Sequence, residues 1–334
     1  MGVLFLWASK KRSDGGRSAA AFSLMIEQQL TADVLMIRPA NFCANPQTAG
    51  SNHFQRPEAA SANALCDARQ EFDAFADALN AAGIRVHLFD DLPAPIAPDA
   101  LFPNNWVSFH ADGTAVLYPM LAPNRRLERR RDILDSLVED HRFNIERLVD
   151  LTDLEHSGYF LEGTGSMVLD RRNRIAYACL SPRTHRQALD VFAQRLDYDI
   201  VAFDAVDSSG RAIYHTNVML SIGNYFAAIC AEAIPADQRE RVLDRLHTTR
   251  ADIVQLTQAQ VADFAGNMLE LATAEGRSIV TMSKRAANVL TSEQLNRLHC
   301  VSGGIVTVPL STIETLGGGS ARCMLAELHL THKS

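Results

Sequence analysis

Short apolar runs recur along the chain in one order: run, polar turn, run, a stretch of helical period, and a closing run. In the middle of the sequence, Ser166–Leu169 is followed by the turn Asp170–Arg174 and the run Ile175–Cys179. A segment from about Arg183 to Leu196 then places Ala188, Leu189, Phe192 and Leu196 on one face, and Ile200–Phe203 closes the unit. Apolar runs of this length bounded by turn residues predict buried strands, and the 3.6-residue spacing predicts a helix laid against them.

The same order appears four more times. Upstream stand Trp106–Phe109, the turn Ala111–Thr114, Ala115–Tyr118, a helix near 129–139 and Ile145–Val149. Downstream come Asn217–Leu220, Ala227–Cys230, a helix near 237–246 and Asp252–Leu256. Asn267–Leu271, Ser278–Met282, a helix near 292–299 and Ile305–Val308 make a fourth unit. The fifth is divided between the chain ends: Cys323–Leu328 joins Val34–Ile37, a helix near 67–82 and Ile84–Leu88. A unit divided in this way locks a ring, because pairing the ends leaves no open sheet edge. The expected fold is α/β, a five-bladed α/β propeller of ββαβ repeats forming one domain over residues 25–334; the alternative is two ordinary α+β domains.

Composition narrows the function classes. With 334 residues, 47% hydrophobic and 21% charged, the chain is an ordinary globular mixture. Lys+Arg 32 against Asp+Glu 39 leaves a net charge of -7, the wrong sign for a nucleic-acid partner. No apolar run approaches the roughly 20 residues that span a bilayer, so no membrane partner is expected. The six cysteines show no CxxC spacing, which fits reduced thiols in a cytoplasmic protein and argues against structural zinc. Phosphate-loop, dinucleotide, HExxH and EF-hand patterns are missing, so neither a cofactor nor a metal is expected. Residues 1–24 read as a disordered extension or an upstream start, with Met25 opening the fold.

In such a ring the residues just before each first strand meet near the axis. Those positions are polar or glycine here: Phe102–Trp106, Leu161–Ser166, Tyr214–Asn217, Ala265–Asn267 and Gly317–Cys323. They deliver one Cys, one His and one Glu, the inventory of thiol nucleophilic catalysis. A cysteine is usually inert packing. At Cys323 the preceding three glycines and Ser320 reverse that reading, by freeing the backbone and offering N–H groups to a developing negative charge. His215 suits proton transfer, and Glu162 suits holding the imidazole or the NH groups of a substrate.

The segments FPNNW (102–106), EGTGSMV (162–168), YHTNVML (214–220) and GGGSARCML (317–325), with LMIRPANF at 35–42, resemble the guanidine-modifying enzymes of the pentein superfamily. Within it the chain looks most like the bacterial citrulline-utilisation hydrolases, often labelled amidinotransferase-like, from about Val34 to Leu330. The resemblance implies Cys323 as nucleophile, His215 as general acid/base and Glu162 as the paired carboxylate. It further implies that Arg126 (or Arg125) and Arg183 bind the carboxylate of an amino-acid substrate. Arginine-processing relatives place aspartates where this chain has Asn105 and Asn217. Buried carboxylates suit a cation, whereas two amides suit a neutral group that both donates and accepts hydrogen bonds. The expectation is a cysteine-dependent hydrolase that converts citrulline, or a close analogue, to ornithine, ammonia and CO₂. Its alternatives are a guanidine hydrolase or amidinotransferase acting on arginine or methylarginine, and a non-catalytic pentein that binds a macromolecule. The oligomeric state is left open.

Overall fold

The computed structural model describes residues 27–333, so the segment 1–24 and Met25 fall outside the described residues. In chain order the strands are β1 Asp33–Arg38, β2 Arg85–Asp90, β3 Val107–Phe109, β4 Thr114–Leu117, β5 Arg147–Asp150, β6 Val168–Asp170, β7 Ile175–Cys179, β8 Asp199–Phe203, β9 Leu220–Ile222, β10 Phe226–Ile229, β11 Asp252–Gln255, β12 Leu269–Ala272, β13 Ser278–Ser283, β14 Ile305–Val308 and β15 Ala326–Glu327. They form five three-stranded sheets. In four of them three consecutive strands associate, the first antiparallel to the second and the second parallel to the third. The remaining sheet has the same pattern across the chain ends: β15 is antiparallel to β1 and β1 is parallel to β2.

A parallel pair needs a crossover, and helices supply it at Ala64–Ala81, Arg131–Glu139, Arg186–Leu196, Ala236–His247 and Ser292–Val301. The helix Arg186–Leu196 buries Ala188, Leu189, Phe192 and Leu196, the face that its period predicts. Apolar layers join each sheet to the next. Leu35, Trp106 and Leu328 share one, Tyr118, Met167 and Phe192 another, and Tyr177, Met219 and Val280 a third. Phe72, Leu271 and Leu325 bring the fifth sheet back to the first.

The inner strands start later than expected: at Val168 rather than Ser166, and at Leu220 rather than Asn217. The residues before them form tight helical turns instead, Pro103–Asn105, Gly163–Ser166, Thr216–Val218 and Ala321–Met324. Turns of this kind satisfy backbone groups locally where no neighbouring strand is available, and they aim polar side chains inward. Short helices at Gln258–Ala262 and Lys284–Val289 were not anticipated either.

Residues 27–31 tie several sheets together. Gln29 Nε2 donates to Leu169 O at 3.0 Å and to Ile222 O at 3.3 Å, and Thr31 Oγ1 donates to Leu328 O at 2.7 Å. Glu27 pairs with Arg171 at 2.9 Å and lies 3.8 Å from His110. Burial pushes the His110 pKa down to about 4 against the pull of Glu27, and burial with Arg171 also lowers that of His329. His110 is therefore neutral when folded but takes a proton near pH 6.5 when unfolded. Its contribution to stability is complete above about pH 6.5 and is lost as the pH falls towards 4, by up to about 1.4 kcal/mol per pH unit, and His329 shifts in the same direction. Thermal unfolding should show Tm falling between pH 6.5 and 4.5, above the range in which ordinary carboxylates titrate. A flat profile there would contradict this account.

Candidate active site

Cys323 sits in the turn Ala321–Met324 and is 3% exposed. Its Sγ lies 3.5 Å from Asn217 Nδ2 and 3.3 Å from Asn267 Nδ2. Asn267 Nδ2 also donates to Asn217 O at 3.0 Å, while its Oδ1 accepts from Arg322 N at 3.0 Å. One amide thus ties the cysteine turn to the turn that carries Asn217. Asn267 was not among the site residues expected from the sequence. The signal was present, since Ala265–Asn267 occupies the same repeat position as the segments that carry Glu162 and His215.

His215 immediately precedes the turn Thr216–Val218, and Glu162 immediately precedes Gly163–Ser166, so both side chains stay free to face the site. His215 Nε2 lies 2.8 Å from Glu162 Oε2, which leaves Nδ1 without a partner among the described residues. The same carboxylate oxygen receives Arg125 at 3.3 Å and Arg183 at 3.4 Å, and Oε1 accepts from Leu121 N at 3.1 Å. Burial alone would raise the Glu162 pKa, but Arg183, the His215 bond and Arg125 outweigh it and hold the carboxyl well below the usual range. Burial drives His215 the other way, down to about 4, and the two arginines oppose the pull of Glu162. At neutral pH the pair is an ionised carboxylate and a neutral imidazole ready to take a proton.

A covering segment closes over the site. Asn52 Nδ2 donates to Gly317 O and Gly318 O, Gln55 Nε2 donates to Gly317 O, and Tyr214 OH donates to Gly318 O at 2.6 Å. Gly318 has φ +64°, which suits glycine, and its N–H is given to Glu314 O at 3.1 Å. The glycine turn's carbonyls bind the covering segment, and of its N–H groups that of Gly318 is used within the fold. Arg183 donates to Ser51 Oγ and Thr48 O of the same segment, so the closed state occupies most of its fork.

Asn105, Arg183, His215 and Cys323 line one narrow cavity beneath this cover, with Asn217 bonded to the thiol and Glu162 behind the imidazole. Arg126 does not belong there. It donates to Met120 O at 3.1 Å and pairs with Glu155 at 3.2 Å, because the helical turn Pro123–Glu128 points neighbouring residues in different directions. Arg125 is the one that faces the cavity, gripped by both oxygens of Glu128 at 2.8 and 2.9 Å. Asp99, also missed in the sequence, lines the cavity too. Its Oδ2 accepts from Asn45, whereas its buried Oδ1 has no partner among the described residues, and burial raises its pKa despite Arg125.

Gly165 explains the small residues after Glu162. A Cβ there would come within 2.3 Å of Asn105 Nδ2 and 2.7 Å of His215 Nδ1. Gly165→Ala should therefore displace both groups and lower kcat about a hundredfold, since shifts of an ångström in a catalytic site cost that much. Steady-state turnover beside a thermal melt tests it; full activity would show that the imidazole can move without loss.

A family model described as N,N dimethylarginine dimethylhydrolase, eukaryotic, matches residues 38–330. No curated protein sequence matches the chain. Among solved structures, the N-terminal domain of ArgZ bound to its product, an arginine dihydrolase from the ornithine-ammonia cycle in cyanobacteria, is 18% identical with a TM-score of 0.64, covering 89% of this chain and 97% of its own. AgrE in complex with ornithine and NAD+ is 19% identical, TM-score 0.67, over 90% of this chain. A dimethylarginine dimethylaminohydrolase carrying an S-methyl-L-thiocitrulline adduct is 14% identical, TM-score 0.58, over 90% of this chain and 100% of its own. These likenesses are of fold. The chain spans only 40% of the longer ArgZ chain and 39% of that of AgrE.

Proposed function

We propose, for a chain that belongs to the N,N dimethylarginine dimethylhydrolase family, that its site hydrolyses the ureido group of citrulline or a close analogue. The family makes it a hydrolase of guanidino-type carbon–nitrogen bonds; the narrower substrate is our reading. We also read the five sheets as blades of one closed propeller over residues 25–334, since each sheet shares an apolar layer with its neighbour and the last with the first.

The observation that carries the substrate reading is the chemistry around the thiol. Asn217 and Asn267 reach Sγ, and Asn105 lines the cavity, whereas Asp99 is the single carboxylate in the lining, against Arg125 and Arg183. With Arg125 and Arg183 already paired to Glu128 and Glu162, a guanidinium placed there would find only Asp99 to balance it in the lining, and an unpaired cation is costly in a buried site. A ureido group is neutral, and its NH donors and carbonyl acceptor match amides. The free Asp99 oxygen suits the α-ammonium, and Arg125 with Arg183 suits the α-carboxylate. Because Arg183 is tied to Ser51 and Thr48 in the closed state, substrate enters when that segment lifts.

In the reaction, the Cys323 sulfur adds to the ureido carbon and its proton passes to neutral His215. Amide N–H groups stabilise the oxyanion. His215, now cationic against Glu162, protonates the departing ammonia and leaves an N-alkyl thiocarbamate on sulfur. Water deprotonated by His215 cleaves that bond, and the released carbamate breaks down to ornithine and CO₂. Water is consumed once, and the thiol is regenerated.

The second reading is an arginine or methylarginine hydrolase, favoured by the family description and by Asp99 as an available carboxylate. Incubation with citrulline, arginine and methylated arginines, with quantitation of ammonia and amino-acid products, separates the two. Ornithine from citrulline with arginine untouched is the expected result. Citrulline formed from arginine or methylarginine would overturn the ureido assignment.

A further inference from the structure

The covering segment has two faces. Asn52 and Gln55 bond the glycine turn, while His53, Phe54 and Arg56 line a second cavity. It is the larger of the two, about 210 Å³ against about 10 Å³ over Cys323. Tyr214 lines both, and its hydroxyl holds Gly318 O.

The floor is apolar, formed by buried Ile213, Tyr214, Val261 and Phe264. Cys230 also lies there, but burial pushes its thiol up to about 11, so it stays neutral. Three arginines edge this floor. Arg211 is paired with Asp207 at 2.8 Å and Arg285 with Asp263 at 2.6 Å. Among the described residues the exposed Arg56 side chain has no partner; its backbone alone is engaged, the N–H donating to Thr315 O at 2.8 Å and the carbonyl accepting from Ala59 N at 3.0 Å. Phe264 sits in the left-handed turn that ends the helix Gln258–Ala262, at φ +62°, with its N–H bonded to Val261 O and that of Ala265 to Gln260 O, which fixes its ring at the edge of the floor. Phe54 packs on its ring at 4.9 Å between centroids.

We propose that this cavity binds a small monocarboxylate with a flat apolar body, the ring against Phe54 and Phe264 and the carboxylate on Arg56. Its occupancy holds the covering segment down on the glycine turn and restricts access to Cys323. A guanidinium fork takes a carboxylate through paired N–H bonds, and a ring recovers the apolar surface of the floor. Coupling between the two sites is reciprocal, so whatever lifts the segment weakens the second site by the same factor. Neither claim depends on which substrate the Cys323 site takes.

Benzoate is the probe, titrated calorimetrically into the full chain, with benzyl alcohol as a ring without charge and acetate as a charge without a ring. Benzoate should saturate one site, and each control should bind at least about tenfold more weakly. Arg56→Gln should weaken benzoate at least about fivefold. Ala262→Trp, at an exposed position in the lining, should fill the cavity and abolish binding with its thermal melt unchanged. The second readout is the rate at which iodoacetamide labels Cys323, followed by peptide mass. Saturating benzoate should slow it at least about threefold in the wild type and leave it unaltered in Ala262→Trp. Absence of benzoate binding up to about 10 mM, or equal binding in both variants, overturns the site. An unaltered labelling rate at saturation overturns the coupling.

Discussion

Replacing Cys323 by serine should lower turnover by at least about a thousandfold while leaving Tm within a few degrees of wild type. The reasoning is local. Serine fills nearly the same volume in the turn Ala321–Met324, and its hydroxyl can accept the amide donors of Asn217 and Asn267. The fold therefore keeps its contacts, whereas the reaction loses its nucleophile: an unassisted hydroxyl is far less ionised than a thiol near neutral pH. The measurement has two arms. Steady-state release of ammonia gives the loss, and mass spectrometry of acid-quenched wild-type enzyme should show a covalent adduct on the Cys323 peptide that the variant lacks. A Cys323→Ser protein that keeps a tenth of the rate would end the covalent mechanism.

Glu162→Gln should have a comparable effect on the rate and a larger one on stability. The carboxylate is buried among Arg125, Arg183 and His215 and receives a bond from each. The amide keeps the size and the acceptor for Leu121 N, but removes the charge that compensates two buried guanidinium groups. Deleting one member of such a cluster costs about 3–5 kcal/mol, far more than the intact cluster contributes over an apolar one. The imidazole also loses the anion that stabilises its protonated form, so proton delivery to the leaving nitrogen should fall about a hundredfold or more. A Tm lowered by about 10 °C together with that loss of kcat is the expected pair of results. Retention of kcat within about threefold would remove Glu162 from the mechanism, whatever the melt shows.

The repeat was legible because strand and helix periods are local properties. Ile175–Cys179 and Ile305–Val308 are strands with the bounds their apolar runs predict, and helix Arg186–Leu196 buries its predicted face. The starts of the inner strands were not legible. Asn217–Leu220 has strand-like composition, yet Thr216–Val218 turns helically because no neighbouring strand is there to pair with it. A tertiary partner, or its absence, decided those residues.

The site divides along the same line. Cys323, His215 and Glu162 stood out as polar residues where a plain core would be apolar, at equivalent repeat positions, while Asn105 and Asn217 were picked out in the same segments by the family resemblance. Arg125 and Arg126 could not be told apart, because neighbouring residues in a tight turn face different ways and only the packing against Glu128 and Glu162 selects one. Asp99 and the segment 45–55 were invisible for another reason. Irregular backbone has no period, and the covering segment owes its place to long-range bonds to Arg183, Gly317 and Gly318. The sequence by itself determined the alternation of strand and helix, the unit divided between the chain ends and the residue types delivered to the axis, because these follow from local pattern and covalent order. Tertiary structure decided which arginine faces the cavity, which oxygen of Asp99 is left free and which glycine carbonyls are held. Each of those depends on groups far apart in the chain competing for the same few hydrogen bonds in a buried site.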